Sequence, residues 1–355
     1  MDDRIAKIQE QFKEKNIDCF LVTSKENIFY LTGFTGDSGI LFIAPRKALL
    51  ITDHRFQGEL VDNIRGSEVC ITKKGYIEEL KTHRIAKRKS RIGFEGSSIS
   101  YSLYWELRKK LDWLKFKSFD SFVEDLRIMK SREEIKKIKK ACSILDKAFE
   151  ATISYIKEGV SETDISIELE YRMKKAGGEK PAFETIVASG YRSSIPHGVA
   201  SSKKIKKGEF VTIDFGTTYE GYNSDITRTV FLGKPTKKDT KIYETVYGAQ
   251  KLAFESVKEN MRTRDLDKVA RDFISDSGFG EYFSHSLGHG VGLGVHEKPT
   301  ISKKDKCCLK KGMVFTIEPG IYIPGYQGVR IEDTVVLKNG KPELLTNSGR
   351  ELIII

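Results

Sequence analysis

The chain has 355 residues, 39% of them hydrophobic and 31% charged, with 30 Gly and 8 Pro; this excludes a disordered, collagen-like or repeat-biased polymer and favours two folded domains, each with its own core. The net charge of +11 is spread along the chain, densest at 81–91 and without interleaved aromatic residues, so a solvated lysine-rich face explains it better than nucleic-acid binding. The five cysteines are odd in number and lack C-x-x-C spacing, residues 1–7 carry no signal-like apolar segment, and no apolar run reaches the roughly 18 residues of a membrane span, so a soluble protein of the reducing cytoplasm is expected.

Residues 1–122 alternate short apolar runs with helical stretches, the pattern of a small mixed α/β domain. Ile5, Ile8 and Phe12 form an apolar helical stripe. Strands are expected at 19–22, 39–44, 48–52, 69–72 and 91–94, and helices at 55–63 and 102–111. Asp53, His54 and Arg55 form a polar trio that turn chemistry explains as well as function does. In this half no charged or histidine cluster has ligand spacing, and His54 and His83 read as ordinary polar groups.

The second domain, 123–355, opens at Ser131, which with Glu134 fits a capping box. Ile135, Ile138, Cys142, Leu145 and Phe149 then recur at steps of three and four, one continuous stripe for packing on a sheet. Glu133 and Lys137 are expected to pair on the wet side. Further helices are expected at 162–175 and 238–259. Strands follow Gly208, giving an α+β half of about 230 residues.

Chemistry concentrates in that half. Strand 211–215 alternates in and out, Glu220-Gly221 supplies a turn, and a second strand at 222–232 completes a hairpin. Asp214 and Asp225 should then lie nearly opposite one another, about 5–8 Å apart. Facing carboxylates repel, so a shared proton or a cation is required. Glu318 and Glu332 repeat the theme, each among β-branched or apolar neighbours on a strand, and between the hairpin and these strands His285 and His289 sit in a glycine-rich block. Four carboxylates and one imidazole suit two divalent ions, and the dominance of oxygen donors favours manganese or cobalt over a structural zinc site.

Five blocks carry a family resemblance: Ser194-Ile195-Pro196-His197-Gly198; Asp214 with Asn223 to Thr229; His285 to Gly292 with Val295-His296-Glu297; Ile317 to Tyr322; and Val329 to Thr334. In this order they resemble the Xaa-Pro peptidases, prolidase and aminopeptidase P, of the M24 metallopeptidase family. The resemblance implies a pita-bread catalytic domain with pseudo-twofold sheet halves and outer helices, behind a smaller N-terminal domain. It implies two divalent ions, manganese or cobalt with zinc as a further candidate, held by Asp214, Asp225, His289, Glu318 and Glu332, with Asp225 and Glu332 bridging.

The implied reaction is hydrolysis of the bond before proline by a hydroxide bridging the ions, with Glu318 as proton shuttle. His197 and His296 match the histidines that hydrogen-bond the substrate, and His285 the one lining the proline pocket. Arg330 is a candidate for substrate contact or for a salt bridge with Glu332 and Asp333; Tyr222 and Tyr322 read as core or supporting groups. The ligand set serves both peptidases, but the short chain with a compact N-terminal domain resembles many small prolidases, so a dipeptidase is expected over an aminopeptidase P acting on longer peptides; a non-catalytic peptide-binding relative is disfavoured because all five ligand positions are filled. A homodimer is the assembly the resemblance implies.

Overall fold

The computed structural model describes residues 4–58, 64–83 and 86–355. The chain forms two compact units, one ending at Arg127 and the other beginning at Ile128.

In chain order the first unit comprises α1 (Arg4–Glu10), α2 (Phe12–Lys15), β1 (Cys19–Val22), α3 (Lys25–Thr32), β2 (Gly39–Ala44), β3 (Lys47–Thr52), β4 (Glu68–Ile71), α4 (Tyr76–Thr82), β5 (Arg91–Glu95), α5 (Tyr101–Lys110), β6 (Lys115–Phe119) and α6 (Glu124–Arg127). Among the described residues its mixed sheet runs β4-β3-β2-β1-β5-β6. Leu21, Phe42, Leu49, Ile51 and Ile92 of the sheet are buried against Ile77 and Leu80 of α4 and Leu107 of α5. The all-apolar strands are the ones the sequence displays. Short α4 has only Ile77 and Leu80 buried, too few to leave a periodic signal. Over 55–63 the expected helix is replaced by a single 3-10 turn at His54–Phe56, and 59–63 lie outside the described residues. Asp53 caps that turn through Arg55 N and pairs with the Arg55 side chain, so the polar trio is turn chemistry.

The second unit opens with α7 (Arg132–Ile153) and α8 (Glu162–Lys175), followed by β7 (Ile186–Ser189), β8 (Glu209–Phe215), β9 (Thr218–Tyr219), β10 (Tyr222–Asn223), β11 (Ile226–Leu232), α9 (Lys237–Ser256) and α10 (Thr263–Asp276). Strands β12 (Gly288–Gly290), β13 (Glu297–Ile301), β14 (Val314–Ile317), β15 (Gly320–Tyr322), β16 (Gly328–Arg330), β17 (Asp333–Lys338), β18 (Lys341–Leu344) and β19 (Ile353–Ile354) complete it. The Ser131–Glu134 capping box forms as expected. Glu133 reaches Lys136 rather than Lys137, which turns instead to Glu220 at 3.1 Å. None of the described helices is long and apolar enough to cross a membrane.

Among the described residues, two larger sheets organise the second unit, beside the two-stranded pairs β9-β10 and β15-β16. One has the order β19-β11-β8-β7, the other β13-β12-β14-β17-β18. Helices α7 and α8 bury Leu145, Phe149, Ile165 and Leu169 against Val211, Ile213 and Val230 of the first. Helices α9 and α10 bury Ile242, Val246, Leu266 and Ala270 in a second core with Phe315, Val335 and Leu337. The sheets meet where Glu332 N donates to Thr227 O at 3.1 Å and Thr334 Oγ1 donates to Asp225 O at 2.8 Å.

Arg228 closes this seam from behind. Fully buried, it donates to the Glu332 carbonyl, to Ser348 O at 2.7 Å and to Gly349 O at 2.8 Å, and pairs with Asp333 Oδ1 at 2.7 Å. Gln250 and Thr346 hydrogen-bond the same Asp333 carboxylate. Removing one partner of such a pair strands a buried charge, so Arg228→Met should cost about 3–5 kcal/mol. A wild-type urea midpoint in the variant would show that the network contributes nothing to holding the seam.

Candidate metal centre

The seam gathers polar side chains that ordinary packing would exclude. Asp214 lies near the end of β8, Asp225 just before β11, His289 in the middle of β12, Glu318 just after β14 and Glu332 just before β17. Four of the five therefore stand at or beside strand ends, where the chain turns away and side chains reach the seam. Close packing of β12 demands its glycines: a Cβ at Gly288 would fall 2.0 Å from Thr316 O, and one at Gly290 2.2 Å from Lys298 O.

The hairpin differs from expectation. The turn at 220–221 pairs Tyr219 with Tyr222, and the same register continues past the interruption at 224–225 to pair Asp214 with Thr227, so Asp225 is a diagonal neighbour of Asp214 rather than its partner across the strands. A two-residue offset keeps both on one face. Asp225, His289 and Glu332 each offer a ligand atom, all within 4.8 Å of one another. His289 Nε2 stands 3.6 Å from Asp225 Oδ2 and 3.2 Å from Glu318 Oε1. Its Nδ1 faces Gly290 O at 3.2 Å, which aims Nε2 into the cluster.

Burial raises the Asp225 and Glu332 carboxyls well above their ordinary range, and neighbouring carboxylates push in the same direction. Burial also raises Asp214, against the pull of Arg330. Glu318 goes the other way: burial would raise it, but hydrogen bonding and charge from His289, with His285 and Arg330 behind, hold it at about 2. His289 is correspondingly raised, the Glu318 contact overcoming burial. Asp214 Oδ1 and Asp225 Oδ1 are buried without a hydrogen-bond partner, a defect worth about 1–3 kcal/mol for each group and more when charged. Unpartnered carboxylate oxygens beside an imidazole nitrogen aimed among them are the donor set that a divalent cation satisfies.

Arg330 departs from its expected partners. Its Nη2 pairs with Asp214 Oδ2 at 2.7 Å, Nε donates to Thr227 Oγ1 at 3.1 Å and Nη1 to Tyr322 Oη at 2.7 Å. Asp333 is held by Arg228 instead, and Glu332 accepts from Thr227 Oγ1 at 2.6 Å. Tyr322 Oη also meets His285 Nε2 at 2.9 Å. Burial lowers the His285 pKa, so the neutral ring accepts the tyrosine proton. The His296 ring packs edge-on against His289 with centroids 4.3 Å apart. Burial first, then the charge of His289, lowers its pKa, and His197 acts on it in the same sense. His197 itself is exposed on the 190–199 segment.

Several supporting residues leave no signal in the sequence. Thr227 and Thr316 orient Glu332 and Glu318, the latter at 3.1 Å. Glu162 has the sequence appearance of an ordinary first-turn acid. In the fold it is fully buried and accepts from Ser189 N and Oγ, Arg192 Nε, and Ser201 N and Oγ, pinning both ends of the segment that carries His197. Arg330 Nη1 fastens the middle of that segment through Pro196 O at 3.2 Å.

Comparison with known proteins matches both units. Residues 136–339 match metallopeptidase family M24, and residues 4–129 match the creatinase/prolidase N-terminal domain. The chain is 44% identical to the Xaa-Pro dipeptidase of Pyrococcus horikoshii over 355 residues, covering 99% of each chain. An Xaa-Pro dipeptidase structure from Bacillus anthracis superposes with a TM-score of 0.96 at 41% identity, covering 99% of both chains. An X-Pro aminopeptidase structure from Thermotoga maritima gives 0.90 at 40% identity, covering 99% of this chain and all of that one. The two sheets with paired outer helices are the pita-bread fold of these neighbours, and the chain belongs to metallopeptidase family M24.

Proposed function

We propose that the protein is an Xaa-Pro dipeptidase that cleaves the bond before proline, with two divalent ions held by Asp214, Asp225, His289, Glu318 and Glu332. The observation that carries this reading is the convergence of Asp225, His289 and Glu332 with ligand atoms within 4.8 Å of one another, Glu318 3.2 Å from His289, and buried Asp214 and Asp225 oxygens left unpartnered. Oxygen-rich ligation favours manganese or cobalt over zinc. Five free cysteines support a reducing, cytoplasmic setting, and the family resemblance extends to a homodimer.

When bound, the ions supply a nucleophilic water at neutral pH and polarise the scissile carbonyl. Glu318, whose Oε1 accepts from Thr316 Oγ1, carries a proton from the nucleophile to the departing proline nitrogen. His296 is neutral near pH 7 and stands at the rim, placed to donate to the substrate as negative charge develops. His197 joins it from the pinned segment. His285, edge-to-face with Phe283 and tilted against Tyr322 at centroid distances of 5.2 and 5.4 Å, forms with them an aromatic wall suited to a pyrrolidine ring. Arg330 has every guanidinium nitrogen occupied by protein partners, so its role in this reading is to orient Asp214.

The similarity to an X-Pro aminopeptidase makes substrate length the discriminating test. With manganese or cobalt added, the purified protein should hydrolyse an Xaa-Pro dipeptide and leave an Xaa-Pro-Xaa tripeptide intact, and a chelator should abolish the reaction. Efficient tripeptide cleavage would reassign it as an aminopeptidase P.

Substitutions should separate metal holding from turnover. Asp225→Asn should lose bound metal and more activity than the roughly 10–100-fold typical of outer-shell changes. His296→Ala should retain metal while kcat falls about 100-fold. Unchanged kinetics in the histidine variant would return His296 to a structural role.

Stability supplies a further check. Asp214, Asp225, Glu332 and His289 all have raised pKa values in the metal-free fold, so the folded state binds more protons than the unfolded one and loses stability as pH rises. Glu318 acts oppositely, but its contribution is complete above the ordinary glutamate pKa. The rise in Tm on adding manganese should therefore grow between about pH 5 and pH 8. A constant increment would mean that cation binding releases no protons from these groups.

A further inference from the structure

The first unit brings together three donor side chains that the sequence spacing hides. Cys70 lies on β4, an edge strand; Glu79 lies in the last turn of α4, and His83 caps its end, four residues on. One ligand atom from each falls within 4.8 Å of the others. His83 Nε2 stands 3.8 Å from Glu79 Oε2. Thr72 Oγ1 donates to Glu79 Oε1 at 3.2 Å, fixing the carboxylate with its other oxygen toward the imidazole.

An exposed i,i+4 carboxylate–histidine pair is by itself worth only about 0.3–0.5 kcal/mol and carries no function. The thiol changes the chemistry. Cys70 is half-buried and reduced, and burial together with the adjacent Glu79 raises its pKa. A thiol, an imidazole and a carboxylate oriented by a neighbouring hydroxyl make a mixed S/N/O set, softer than the oxygen-rich centre of the second unit.

We propose that Cys70 Sγ, Glu79 Oε2 and His83 Nε2 bind one thiophilic divalent cation of the zinc class, with water as the fourth ligand, tying edge strand β4 to helix α4. On binding, the Cys70 S–H bond breaks and its proton passes to solvent. The thiolate and the carboxylate then balance the two positive charges of the ion. Such a site lies outside the peptidase machinery, so its occupancy and hydrolysis of Xaa-Pro substrate are separable.

The test uses the full-length protein, stripped by chelator, reloaded with manganese and then titrated with cobalt(II). A near-ultraviolet thiolate-to-cobalt charge-transfer band should grow to saturation, disappear on adding zinc, and be absent in Cys70→Ser, which should keep wild-type Xaa-Pro hydrolysis. His83→Ala should weaken cobalt binding at this site by at least about tenfold. Zinc should also slow alkylation of Cys70, followed by mass spectrometry, by at least about tenfold. The proposal is overturned if no band forms, if the band persists in Cys70→Ser, or if Cys70 is alkylated equally fast with and without zinc.

Discussion

Burying Asp214, Asp225, Glu318 and Glu332 around one imidazole is the constraint from which the second unit's architecture follows. Two like charges about 4 Å apart repel by about 4 kcal/mol at an effective dielectric constant near 20. Four carboxylates in one seam make that a structural problem, which the protein's own hydrogen bonds answer incompletely. Burial and neighbouring carboxylates push the Asp225 and Glu332 carboxyls well above their ordinary range, Glu318 leans on His289, and the Oδ1 atoms of Asp214 and Asp225 stay unpartnered. Divalent cations would resolve all three at once.

The layer behind the carboxylates shows why they stay in place. Arg330 holds Asp214 and, through Thr227, shares a hydroxyl with Glu332. Arg228 grips the backbone on both sides of the seam and neutralises Asp333, the residue after Glu332. Each sheet rests on its own helix pair and its own core, so the seam is placed by two packed bodies rather than by a flexible loop. The seam side chains are thereby held by packed elements, the rigidity that a functional site needs.

Legibility in the sequence followed the range of the interactions. Buried strands such as 19–22 and 39–44, the Ser131 capping box and the stripe of α7 are local patterns and stand in the structure where the sequence placed them. All five proposed ligands were visible because each sits in a short block of unusual composition. What escaped depended on distant partners. The register of the hairpin is the local exception: the turn at 220–221 sets Thr227, not Asp225, opposite Asp214. Arg330 found Asp214, 116 residues away, instead of its neighbours in sequence. Glu162 reads as an ordinary first-turn acid, yet its partners extend to Ser201, 39 residues on. Cys70, Glu79 and His83 meet only because a sheet edge and a helix end are packed side by side.

The central claim is that the carboxylates at the seam are a two-ion centre. Anomalous diffraction from crystals grown with manganese tests it most directly. The account predicts two peaks about 3.5–4 Å apart, enclosed by Asp214, Asp225, His289, Glu318 and Glu332, with Asp225 and Glu332 contacting both. A single peak, or manganese bound away from these residues while the protein remains active, would contradict it.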